Sequence, residues 1–191
     1  MRTKSNRFMA TDVRVLLARG AALAPLVVGL ADLALRRPRP LPVAAALDEA
    51  AHVATTVAIL SVYPRTMDAA SALTALAASV AIDADHVPGD LFGWHVLGRA
   101  GERPYPHALL TVALLWAAGM RANANHGWRR LSRSAALGVL SHLLRDAATG
   151  GVPALWPVSR RQFRVPYPPY LTVMVVLSAA VRRRGVAADE G

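Results

Sequence analysis

Six apolar runs, each stopped by charged residues or proline, constrain this chain more than any other feature. Ala21–Leu35 is almost wholly apolar, is preceded by Val13–Leu17, and stops at Arg36-Arg37-Pro38-Arg39-Pro40. Val43–Val62, Ala69–Ile82, Pro106–Met120, Ser134–Leu144 and Pro168–Val181 follow. No stretch alternates as a strand does, and no internal repeat is visible. Several runs fall short of the roughly 20 residues that cross a hydrocarbon core. The expectation is an all-α, polytopic integral membrane bundle of about four to six short or tilted spans. A single domain over 1–191 is expected, with a basic N-terminal tail at 1–10 and a C-terminal tail at 182–191. No cleavable signal is read at the start, because Arg14 and Arg19 interrupt the first run.

Charge supports the same class. Lys and Arg number 22 against 12 Asp and Glu, and only Lys4 is lysine. The charged fraction, 18%, lies below the roughly 25% of an ordinary soluble domain. A chain both basic and apolar suits a membrane protein with arginines at its span ends. It does not suit a nucleic-acid binder, which needs a soluble basic domain. Cysteine is absent, which excludes a thiol nucleophile, a Cys-ligated zinc and an iron–sulfur cluster. The distribution of basic residues narrowly favours a cytoplasmic N-terminus in a cell membrane.

The acids and histidines gather at span ends. Asp48, Glu49 and His52 open the second run; Asp83, Asp85 and His86 close the third; His107 opens the fourth; His142 and Asp146 close the fifth. In an up-and-down bundle these ends share one membrane face, the outer one for a cytoplasmic N-terminus. His126 falls on the other face and is set aside. Ionisable groups near a membrane core are costly and tend to be functional. Imidazole and carboxylate are ligands of zinc, manganese and non-haem iron. Asp48/His52 and His142/Asp146 are i, i+4 pairs, each on one helix face. With Asp83-x-Asp85-His86 and His107 they supply enough ligands for one or two divalent ions, zinc first. Beyond Asp146, a Gly- and Pro-rich turn leads to Ser159-Arg160-Arg161-Gln162-Phe163-Arg164, a basic stretch suited to phosphate.

These motifs resemble the membrane-bound metal-dependent hydrolases, a family that includes an SOS-regulated inner-membrane hydrolase. The resemblance covers 43–166. It rests on Ser141-His142-Leu143-Leu144-Arg145-Asp146, Gly151–Pro157 and Phe163–Pro166, with His52, the Asp83-x-Asp85-His86 motif and Gly101–Ala108 before them. Glu102, Pro106 and Ala108 stand where the family carries His, Thr and Ser. The resemblance implies a metal-dependent hydrolase, with His52, Asp83, Asp85, His86, His107, His142 and Asp146 about the metal. Glu102 or Asp48 would be the general base, and Arg103, Arg145, Arg160, Arg161 and Arg164 would hold an anionic group. A site at headgroup level suggests an amphiphilic lipid or polyprenyl phosphoester, cleaved in the manner of a phosphatase or phospholipase. The alternative is a non-enzymatic metal-stabilised scaffold or transporter-like protein. The bilayer is the expected partner, with no nucleic acid; a homo-oligomer stays open.

Overall fold

The computed structural model describes residues 4–63, 67–86, 88, 92–94, 105–121 and 125–189. All the regular structure described is helical: α1 (Lys4–Leu35), α2 (Leu41–Ser61), α3 (Ala69–Ala81), a 3₁₀ turn (Ile82–Asp85), α4 (Leu109–Gly119), α5 (His126–Thr149) and α6 (Tyr167–Asp189). The chain divides into two compact units. One comprises the residues up to Leu73 with those from Pro168 onward; the other comprises Thr74–Tyr167.

In the first unit α1 packs along α2. Its inner face carries small residues at helical spacing: Ala21, Ala24, Val28 and Ala31 are buried. A Cβ at Gly20 would lie 2.9 Å from Val57 Cγ1, so a larger residue would require that side chain to shift. The opposite face exposes Leu16, Leu23, Leu26, Leu30 and Leu33. A leucine stripe of that length is costly in water and at home in lipid. Pro25 lies inside α1 and has no N–H to give the Ala21 carbonyl. The Ser178 hydroxyl of α6 is shared between that carbonyl, at 2.5 Å, and the Met174 carbonyl, at 2.9 Å. Thr55 spends its proton on the Ala51 carbonyl at 2.8 Å, so the Tyr170 hydroxyl is the donor in their 2.6 Å contact.

In the second unit α5 is the central element. Val139, Leu143, Ala147, Val152 and Ala154 form its core, with Ala78, Ile82, Val112, Leu115 and Val165 packed against them. Gly138 lets α3 touch α5 at the backbone: a Cβ there would fall on the Ala75 carbonyl. Beyond α5 the chain folds back, and Val152 and Phe163 exchange two backbone hydrogen bonds at 3.0 and 2.7 Å. Val165 N donates to Ala147 O at 2.8 Å, and Leu109 N donates to Ala154 O at 3.1 Å. These bonds tie the 150–165 segment to both α5 and α4.

The helices give the expected runs their lengths and starts. Among the described residues only two helical stretches, Val15–Leu35 and Leu41–Ser61, are long and apolar enough to cross a membrane. The third and fourth runs form helices of 13 and 11 residues, about 20 and 17 Å at 1.5 Å per residue. The fifth element begins at His126 rather than Ser134. Asn125 caps it by accepting from Trp128 N at 2.7 Å, and its first turns are too polar for hydropathy to reveal. Both expected tails are helical in the described residues, from Lys4 and through Asp189. Neither Lys4–Ala10 nor Arg182–Asp189 contains proline, so nothing stops the helices there.

Candidate metal centre

Three pieces of local structure carry the donors of the second unit. The 3₁₀ turn after α3 presents Asp83 and Asp85 with His86 at its cap. The turn before α4 holds His107, and α5 presents His142 and Asp146 one helical turn apart. His107, His142 and Asp146 are fully buried, while the Asp83 side chain keeps 16% exposure and that of His86 25%. Among the described residues the cluster keeps its exposure at Asp83 and His86 and, to a lesser degree, at Asp85.

Four atoms meet at the centre. His107 Nε2 lies 3.0 Å from Asp83 Oδ1 and 3.6 Å from Asp146 Oδ2. His142 Nε2 lies 3.4 Å from Asp83 Oδ1 and 3.0 Å from Asp146 Oδ2. A tetrahedral ion with bonds of about 2.0–2.1 Å sets its ligand atoms about 3.3 Å apart. The four atoms lie within 4.8 Å of one another, so Asp83, His107, His142 and Asp146 could hold a metal ion.

The tautomer of His142 sharpens this fit. Its Nδ1 lies 2.6 Å from the Ser79 carbonyl, which can only accept. Nδ1 therefore carries the proton, and neutral His142 turns a lone pair on Nε2 toward the carboxylates. Two acceptors at 3.0 Å repel unless a cation lies between them. A proton or a metal ion meets that need.

His107 is arranged in a similar way. Its Nδ1 lies 3.3 Å from Asp85 Oδ2, out of line for a hydrogen bond, and both buried Asp85 oxygens accept no hydrogen bond from the described residues. A small rotation of either side chain would complete the carboxylate–histidine pair that orients metal-bound imidazoles. Burial opposes charge on His107, but the Asp83 hydrogen bond and the nearby carboxylates of Asp85 and Asp146 outweigh it, so its pKa is raised. Asp85, His86 and His107 also satisfy the separation for a second ion, sharing His107 with the first set.

Six of the seven metal residues expected from sequence, Asp83, Asp85, His86, His107, His142 and Asp146, thus come together. His52 and Asp48 lie on α2 in the first unit, 3.9 Å apart, with His52 fully buried. Glu102 and Arg103 lie outside the described residues. Arg145, beside Asp146, is fully buried. The Arg160 guanidinium lies 5.7 Å from the centre of the Tyr105 ring, which itself stacks on Trp156 at 5.3 Å. Arg161 and Arg164 line an apolar groove. The Ser79 carbonyl was invisible to a reading of side chains, because any residue at that position supplies one.

A family model described as YdjM inner membrane protein matches residues 47–190, about three quarters of the chain. The chain belongs to the YdjM inner membrane protein family. No match emerges among curated proteins or solved structures. The YdjM match begins one residue before Asp48 and runs through α6, so it includes every ligand residue described above. The YdjM description indicates the inner membrane, consistent with the two span-length helices of this chain; it names no reaction.

Proposed function

We propose that this protein is a membrane-embedded metal-dependent hydrolase of an amphiphilic phosphoester, a lipid or a polyprenyl phosphate. The observation that carries the reading is the position of His142 Nε2, within 3.4 Å of Asp83 and 3.0 Å of Asp146 while Nδ1 is turned to the Ser79 carbonyl. Asp83, His107, His142 and Asp146 would hold the first ion, and zinc suits two imidazoles with two carboxylates. Manganese and iron are the other ions these donors accept. Such an ion supplies Lewis acidity and makes water nucleophilic near neutral pH.

The chain's own residues do the rest. Asp85 turns the His107 ring, and the Ser79 carbonyl fixes the proton of His142. The exposed edge at Asp83 and His86 admits water and the substrate headgroup. Glu102 would accept a proton, and Arg103 or Arg145 would neutralise phosphate charge. We place this face on the outer side of a helical bundle in the inner membrane, as the six-run pattern expects. Hydrolysis of a panel of lipid phosphates by detergent-purified protein tests the reading. Turnover should require added divalent metal and vanish in His142→Ala; full activity in that variant overturns the mechanism.

The burial of three of the four ligand residues favours one other reading, a closed structural metal site. Catalytic zinc keeps an open position, whereas structural zinc is enclosed. In that case the same ion raises thermal stability and no substrate turns over.

A further inference from the structure

A groove of about 750 Å³ lies along α5 on a face other than the one that carries His142 and Asp146. Leu140, Leu143, Leu144 and Ala147 form its floor, Leu109 of α4 lies at its edge, and the 152–165 segment forms its wall. The volume lies in the range of ligand-binding pockets, and the lining is mostly apolar. The polar lining residues include Arg161 and Arg164, and no acid is among them.

The position of Arg164 is built into the fold. Gly151 has φ +101°, a conformation that L side chains rarely adopt, and a Cβ there would lie 3.0 Å from Arg164 Cγ and 3.2 Å from its Nε. Glycine at this position lets the Arg164 stem cross the turn. The two hydrogen bonds between Val152 and Phe163 hold the neighbouring backbone. Neither Arg161 nor Arg164 forms an ion pair among the described residues. Two guanidinium groups beside an apolar trough match a phosphate joined to a hydrocarbon chain.

We infer that this groove binds an anionic phospholipid, with an acyl chain along Leu140, Leu143, Leu144 and Ala147 and the headgroup phosphate on Arg161 and Arg164. The site is separate from the metal centre and does not depend on the hydrolase reading. Its occupant belongs to the bilayer that the family description indicates. Arginine supplies paired N–H donors to phosphate and stays charged at every physiological pH.

The test is native mass spectrometry of the full chain in detergent, titrated with phosphatidylglycerol or with phosphatidylcholine of the same acyl composition. Phosphatidylglycerol should be retained at least tenfold better. The double variant Arg161→Gln/Arg164→Gln should lose that preference. Leu140→Asn, a change at a half-exposed groove position, should weaken retention of both lipids. Metal content should stay at the wild-type level in each variant, which separates failure here from failure of the metal centre. Equal retention of the two lipids, or an unchanged preference in the double variant, overturns the assignment. Complete displacement by millimolar inorganic phosphate also overturns it, because the site would then recognise the anion without the chain.

Discussion

At the level of single residues, the centre of the second unit is a set of acceptors that need a cation between them. His142 can bind a metal without changing tautomer, since the Ser79 carbonyl already holds its other proton. His142→Ala and Asp146→Ala should each abolish stoichiometric metal, read by plasma mass spectrometry on purified protein. Asp85→Asn should weaken affinity by about 10–100-fold without abolishing binding, the usual result of removing a group that orients a ligand. If Asp85→Asn instead halves the number of ions bound, Asp85 is itself a ligand and the centre holds two. Acidity should act on the metal-free protein in a stated direction. The His107 pKa is raised in the folded state, so its contribution to stability is full below the unfolded value of about 6.5 and fades as pH rises through the folded value. Metal-free protein should therefore lose melting temperature above about pH 6.5. Metal-loaded protein should not, because the ion replaces the proton. The ligand residue types and their i, i+4 spacing were legible in the sequence. The meeting of the Asp83 turn with His107 and α5 was not, because it depends on how those elements pack.

At the level of elements, close approach decides which glycines matter. Gly138 faces the Ala75 backbone, which cannot rotate away as a side chain can, so Gly138→Ala must push α3 from α5. The cost should be at least about 1–3 kcal/mol, as for other overpacked sites, and metal affinity should fall as well, because α3 leads into the Asp83 turn. At Gly29 a Cβ would meet nothing within 4 Å, and Gly29→Ala should be neutral or stabilise by up to about 1 kcal/mol. Unfolding of both variants in the same detergent gives the comparison. Ser178 and Pro25 form a second element-level pair. Ser178→Ala removes the donor to Ala21 O and should cost about 1 kcal/mol. Pro25→Ala restores a backbone N–H to that carbonyl, so the double variant should lose less than the single effects predict. A proline within an apolar run was legible in the sequence. Its compensation by a hydroxyl 157 positions from the freed Ala21 carbonyl was not.

For the whole molecule, six apolar runs correctly locate six helices among the described residues, and two of these are long and apolar enough to span. Length separates two topologies. If all six helices pass through the membrane from a cytoplasmic N-terminus, the segment between α5 and α6 lies outside the cell membrane. If only α1 and α2 pass through, that segment lies in the cytoplasm with the N-terminus. The turn between α1 and α2, with Arg36, Arg37 and Arg39, lies outside in both. The absence of cysteine makes the choice measurable, because each introduced thiol is then the only one. Val158 is 92% exposed in the α5–α6 segment, and Val158→Cys leaves the metal ligands and the groove untouched. With Arg37→Cys as the outside control, Val158→Cys should react with a membrane-impermeant maleimide in spheroplasts, as the proposed outer-face site requires. Reaction only after the membrane is permeabilised would put the α5–α6 segment in the cytoplasm and exclude the six-span topology. The substrate would then have to be sought in the cytoplasmic leaflet.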